Sequence, residues 1–321
     1  MEAITYRGPR EKSVRLLRAL YRLFPFPLEA DGEIPPARPG VALSVIIPTH
    51  TRKQGRLPFE ALETCLQSLA IQNVPEEGME VLVVEDGPLS DRTIETIGRF
   101  KDSLPIRHLP ADTVHRHRGW LRNLGLRESR GSRILMIDDD TLLFPDFLAN
   151  CFSLFGRADP ERDFILPHGY ARYGLLEPRW DFLEDYSLAT QCIIYPRPLL
   201  EKIKGFHSGL DRFEDIDLAI RSYLAGGRSL EAPQLRFWNP PLYLPLNSPA
   251  SRERALLESD AYLRLRSIYS LPVWIGLLLK EVLKLPHLVL PASREKRTFA
   301  ALAWYTLTGL FAASKKKGHS Q

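Results

Sequence analysis

Short apolar runs alternate with stretches of helical period through most of the chain. VALSVIIPTH (41–50) reads as a buried strand stopping at Pro48, and the helix after it places Phe59, Leu62, Leu66 and Leu69 on one face. MEVLVVEDG (79–87) is a second strand ending in acids, followed by a helix from about Asp91 to Phe100. PIRHLP adds a short third strand, RGWLRNLGLRES (118–129) reads as helix, and SRILMIDDD (132–140) is another strand ending in acids. Strand and helix alternating at crossover lengths predict an α/β fold with a mainly parallel central sheet flanked by helices. Further on, FILP (164–167) and TQCIIYP (190–196) read as strands. RFEDIDLAIRSYLAGG (212–227) reads as a helix with Ile216, Ile220, Tyr223 and Leu224 on its apolar side and Gly226-Gly227 as its stop. Prolines recur between Pro233 and Pro249, which argues against regular structure there.

Both ends of the chain differ from this middle. KSVRLLRALYRLF (12–24) is an amphipathic helix pattern, and the Pro- and Gly-rich stretch after it reads as a linker. The tail has no charged side chain from Ser267 to Leu279 or from Thr298 to Ser314, runs too short or too mixed for a confident span of ~20 apolar residues. The expected layout is therefore an N-terminal helix and linker over 1–40 and a catalytic domain over 41–250, with halves of about 41–145 and 146–250. A basic helical extension over 251–321 completes it.

Charge sharpens that division. The formal +4 of the whole chain divides into +4 over residues 1–25, +7 over 260–321 and −7 over the body between 26 and 259. Positive ends on an acidic body fit an anionic membrane surface better than a nucleic-acid groove. The tail helices either lie at such a surface or pack on the catalytic domain or on a second subunit, as in a homodimer. No secretory signal is expected at the start. Three cysteines, Cys65, Cys151 and Cys192, with no CxxC pair, predict buried thiols rather than disulfides or a cysteine-based zinc site.

In parallel sheets ligands bind at the carboxyl ends of strands, where this chain places Thr49 and His50, Glu85 and Asp86, and Asp138 to Asp140. Three neighbouring aspartates repel one another unless a positive group relieves them. Strand alternation would point Asp138 and Asp140 one way and Asp139 the other. That spacing suits one hard divalent cation, Mg2+ or Mn2+, with phosphate and water completing its shell; a plain acidic loop or helix cap is the simpler alternative. Glu85 and Asp86 would accept hydrogen bonds from a ribose or base edge, although Asp86-Gly87 also suits a turn. His115, Arg116, His117, Arg118 and Arg122 form a basic cluster, in which Arg122 is the candidate diphosphate fork. Glu214, Asp215 and Asp217 gather at a helix start, where the dipole favours negative charge; one of them could instead deprotonate an acceptor hydroxyl.

These pieces resemble, in order, a family 2 glycosyltransferase with the GT-A fold: VIIPTHTR (45–52), VVEDG (83–87), GWLRNLGL (119–126), ILMIDDDTLLFPDF (134–147) and GLDRFEDIDLAIRSYLAGG (209–227). The resemblance implies a nucleotide-diphospho-sugar donor with a UDP, dTDP or GDP carrier, and a glycan or lipid-linked acceptor. Pro48, Thr49, Glu85, Asp86, Arg122, Asp138 and Asp139 would serve the donor, and Asp138 and Asp140 would be the DxD pair for the metal. Asp215 would be the base of an inverting displacement, and Glu214 its neighbour at the acceptor. YLRLRSIY (262–269) and the apolar stretches after it resemble the extension of bacterial rhamnosyltransferase-like members working near the membrane. That implies cell-surface polysaccharide synthesis at the inner face of the cytoplasmic membrane. Many relatives carry a histidine where PQLRFWN (233–239) ends in Asn239.

Other classes fit less well. No GxGxxG follows the first strand, and no Walker or GxSxG sequence occurs. A sugar nucleotidyltransferase would want more glycine than TRKQGR offers after strand one; a catalytically silent donor-binding scaffold would bind donor and transfer nothing. His168, Tyr170, Tyr173 and Trp180 supply the aromatics of a sugar-stacking wall, or of ordinary core.

Overall fold

The computed structural model describes residues 8–50, 61–73, 78–87, 90–111, 117–171, 174–175, 191–239, 249–284, 303–304 and 306–308. Phe59, His115, Arg116, Tyr173 and Trp180 lie outside them, as does most of Thr298–Ser314. The elements run α1 (Gly8–Leu23), β1 (Leu43–His50), α2 (Ala61–Ala70), β2 (Met79–Asp86), α3 (Asp91–Gly98), β3 (Ile106–Ala111), α4 (Arg118–Glu128), β4 (Arg133–Ile137) and β5 (Leu142–Leu143). There follow α5 (Phe147–Phe155), β6 (Asp163–Ala171), β7 (Gly174–Leu175), β8 (Cys192–Pro196), α6 (Arg197–Lys202), α7 (Glu214–Leu224), β9 (Arg228–Trp238), α8 (Pro249–Ile268) and α9 (Leu271–Lys284).

The described strands join one sheet in the order β3-β2-β1-β4-β8-β6-β9-β5, with β7 beside β6. β3, β2, β1 and β4 are all parallel, as the βα alternation requires. The second half is mixed: β8 runs antiparallel to both β4 and β6, while β6 and β9 are parallel. Every residue of β2 is buried, which is why MEVLVVED shows no polar alternation. One face of the sheet packs Val45, Ile47, Val81, Val83 and Leu135 against Leu66 and Leu69 of α2 and Phe147 and Leu148 of α5. On α4, Gly125 permits a close approach, since a Cβ there would lie 2.5 Å from Ile46 Cγ2.

Two local expectations are corrected. β1 does not stop at Pro48 but continues to His50; its pairing with β4 ends at Ile46, so Pro48 has a strand neighbour on one side only, where proline is tolerated. Pro233 lies within an eleven-residue strand, β9. The β6–β9 register jumps from Pro167↔Ala232 to His168↔Arg236, so Pro233 falls in a bulge and owes β6 no amide donor.

The chain divides into two compact units. The first comprises Met1–Arg15, Leu28–Gly209 and Glu214–Pro241. In it the proline-rich stretch after α1 is irregular, as expected, but it is a strap rather than a loose linker. Ala30 and Gly32 amides donate to the Ile203 and Lys204 carbonyls at 2.9 and 3.0 Å, and Arg38 N–H to Arg130 O at 2.8 Å. Arg197 donates to Pro35 O at 2.7 Å, Ser208 N–H to Asp31 at 2.8 Å, and Arg221 to Leu28 O at 3.4 Å.

The second unit comprises Leu16–Pro27, Leu210–Phe213 and Leu242–Gln321. In it α8 and α9 form a hairpin in which Trp274 Nε1–H donates to Tyr262 O at 2.7 Å and Tyr262 O–H to Leu277 O at 3.3 Å. Among the described residues no helix is long and apolar enough to cross a membrane.

Candidate active site

The parallel half of the sheet reverses direction of growth between β1 and β4, the place where such folds bind ligands. Thr49 lies one residue before the end of β1, Asp86 ends β2, and the acid triplet follows β4. The strand stops at Ile137, so the expected strand alternation does not govern the aspartates. They form a turn instead, closed by Thr141 N–H to Asp138 O at 3.1 Å. Gln191 O anchors it, accepting from Asp138 N–H at 3.3 Å and from Thr141 Oγ1 at 2.9 Å.

Each aspartate meets a different donor. Asp138 accepts from Arg122 Nη2 at 3.1 Å, Asp139 from Thr49 Oγ1 at 2.8 Å, and Asp140 from Asn239 Nδ2 at 3.2 Å. Asn239 also donates to Thr141 Oγ1 at 3.1 Å. The residue after β9 therefore reaches the acid turn, and in this chain it is Asn239. Asp139 is buried, whereas the Asp138 side chain is 22% exposed and Asp140 is half-buried.

Arg122 links this turn to α7. Its other terminal nitrogen donates to Glu214 at 2.6 Å, and Phe206 lies beneath the guanidinium at 5.7 Å. Expected at the diphosphate, Arg122 is only 1% exposed and holds two carboxylates from separate elements. Burial pushes the Glu214 carboxyl up, and the Arg122 charge opposes that shift. Asp215, next in the chain, is half-buried and accepts from Ile216 N–H at 2.8 Å.

Glu85 is fully buried, taking Thr93 Oγ1–H at 2.7 Å and His108 Nε2 at 2.8 Å, so its bonds face α3 and β3. Asp86 is buried at the strand end and Pro48 is half-buried. Asp217, grouped in the sequence with the site acids, has no exposure and pairs with Arg221 at 2.6 Å and His207 Nδ1 at 2.9 Å. Burial alone would raise its carboxyl, but the Arg221 charge and the bonds from His207 and Arg221 hold it well below the usual carboxylate range. All three cysteines are buried, as expected.

Sequence reasoning missed Asn123. Its amide donates to Phe206 O at 2.7 Å and to Ser208 Oγ at 3.1 Å, while its Oδ1 accepts Phe206 N–H at 2.9 Å. It fixes the segment leading toward α7, and no local pattern in RGWLRNLGLRE (118–128) singles it out.

The family model for glycosyl transferase family 2 matches residues 44–207, which contain the parallel half-sheet and the acid turn. The chain belongs to this family. A curated relative, poly(ribitol-phosphate) beta-N-acetylglucosaminyltransferase TarS of Staphylococcus aureus strain Mu50, is 29% identical over 97 residues, 30% of this chain but 16% of the relative. The match thus spans less than a fifth of that protein's length. Among solved structures, S. aureus TarS 1–349 in complex with UDP-GlcNAc superposes with a TM-score of 0.57 at 19% identity, over 87% of this chain and 75% of that one. Mannosyltransferase PcManGT from Pyrobaculum calidifontis, in complex with GDP-Man and Mn2+, gives 0.55 at 19% identity over 94% of each chain. At these identities the likeness is one of fold: a GT-A-like α/β sheet with helical flanks and a C-terminal helical extension.

Proposed function

We propose that the protein transfers a sugar from a nucleotide-diphospho-sugar to a hydroxyl of a glycan or lipid-linked acceptor. The observation that carries this reading is the Arg122 bridge. One buried guanidinium spans Asp138 and Glu214, bringing the acids after β4 and those opening α7 to a common centre. The resolved neighbours with UDP-GlcNAc and with GDP-Man and Mn2+ lend support to the donor class.

The donor set fits a hard divalent cation. Asp138 and Asp140 offer partly exposed carboxylates on one tight turn. Among the described residues no group of three His, Cys, Asp or Glu side chains is placed to enclose a metal. Mg2+ and Mn2+ sites of this kind need only one or two carboxylates, with substrate phosphates and water completing the shell. A metal held there would offset the charge of the departing nucleoside diphosphate. Asp215 takes the proton of the acceptor hydroxyl as that oxygen attacks the anomeric carbon, and one direct displacement inverts the centre. Glu214 is too buried and too firmly paired for that task; it orients Arg122 instead.

Titration of UDP-, GDP- and dTDP-sugars with and without Mn2+ tests the reading, beside a variant carrying Asp138→Asn and Asp140→Asn. Metal-dependent tightening for one donor, lost in the variant, is the expected result. A folded protein that ignores every donor would overturn it.

A further inference from the structure

Seven large apolar side chains of the second unit face water in two regular stripes. On α1 and the residue just after it, Leu16, Leu20, Leu23 and Phe24 recur at helical spacing and are 37–71% exposed. Val14 and Leu17 occupy the inward side of the same helix. On α9, Leu271, Ile275 and Leu279 recur every four residues and are 43–52% exposed. The stripes adjoin within the unit: Ser270 O–H donates to Phe24 O at 3.1 Å, and the Phe26 ring packs on Tyr269 with centroids 4.6 Å apart. The end of one stripe therefore lies beside the start of the other. Scattered exposed leucines are ordinary, but two contiguous stripes mark a surface built to be covered.

Charge identifies the cover. The residues of this unit include 15 basic and 6 acidic side chains, a formal +9, while the whole chain carries only +4. The rest of the protein is therefore acidic. Arg22 is exposed on α1, and Arg266 on α8, where it lies over the Trp274 ring at 5.9 Å. A second copy docking stripe to stripe would bring +9 against +9. An anionic bilayer takes both the leucines and the charge, with apolar side chains in the headgroup boundary and cations at the phosphates.

We infer that α1 and α9 together form a docking surface for an anionic lipid membrane, the N-terminal helix serving as a partner to the tail rather than a separate appendage. This does not depend on the glycosyl-transfer reading, and its test uses no donor.

The full chain is sedimented with vesicles of phosphatidylcholine alone and with vesicles in which roughly a third is phosphatidylglycerol. Binding at least roughly tenfold tighter to the anionic vesicles, weakening as salt rises, is expected. Leu23→Glu with Leu279→Glu should reduce that binding about tenfold or more while leaving the melting temperature nearly unchanged, because these are the most exposed members of the two stripes, at 71% and 52%. Equal binding to both vesicle types, or anionic binding unchanged in the double variant, would overturn the inference. So would a dimer seen by light scattering that the same substitutions dissolve, since the stripes would then belong to a second copy.

Discussion

Arg122 and Glu214 meet at 2.6 Å across 92 positions of sequence, both almost wholly buried. A buried ion pair adds little net stability when intact, but removing one partner strands the other charge. Arg122→Met should therefore cost about 3–5 kcal/mol in denaturant unfolding. Arg122→Lys should recover only part of this, because a point ammonium cannot serve both Glu214 and Asp138 as a planar fork does.

Asp217 makes acid stability site-specific. Its carboxyl is held well below the usual range in the folded protein, so below the unfolded value the unfolded chain binds the extra proton. Its contribution is full above about pH 5 and is lost as pH falls through the ordinary carboxylate range toward the depressed value. The stability gap between the wild type and Asp217→Asn, measured by urea unfolding, should be largest at neutral pH and shrink below about pH 4.

Asp215→Asn should lower transfer about 10²- to 10⁴-fold, the usual worth of a positioned base, while donor affinity by calorimetry stays within about threefold. A variant that transfers normally would remove Asp215 from the base role.

Asn239 spends its amide on Asp140 and Thr141. An imidazole there adds a transition-metal ligand beside the acid turn. Asn239→His is therefore expected to raise Zn2+ affinity relative to Mg2+ in titration calorimetry, since imidazole suits the later transition metals and offers little to Mg2+.

Gly125→Ala tests the α4–β1 approach. Alanine gains up to about 1 kcal/mol in helix propensity. The new methyl meets Ile46 Cγ2 at 2.5 Å, however, and overpacking of that kind costs about 1–3 kcal/mol. Chemical denaturation should show a net loss.

The parallel half of the fold was legible because β1, β2 and β4 are each built on a continuous apolar run and each crossover has a helical period; only the edge strand β3, with Arg107 and His108, carries a mixed pattern. The acids at the strand ends were legible for the same reason, since the ends of β1, β2 and β4 follow from where the apolar runs stop. What escaped depends on pairing over distance. Pro233 looked like a strand breaker because a bulge is visible only against its partner strand. Asp217 looked like a site acid, although Arg221 and His207 consume it, and no local pattern says which carboxylate at a helix start will be paired. Arg122 was read as a candidate diphosphate fork, and its bonds to Asp138 and Glu214 were not legible because those carboxylates come from elements far apart in the chain.

The strap over residues 28–38 also dictates an order of assembly. It leaves the ribosome well before the residues that hold it, since Arg221, which donates to Leu28 O, lies 193 positions later. At ordinary elongation rates of about 5–20 residues per second, that interval is about 10–40 s. For that time the Leu28 end of the strap lacks its Arg221 donor, and seating it must await the closing of a very long loop. The strap is therefore made before its partners and fixed after them, so the nascent chain has to complete its sheet with this segment not yet fully seated.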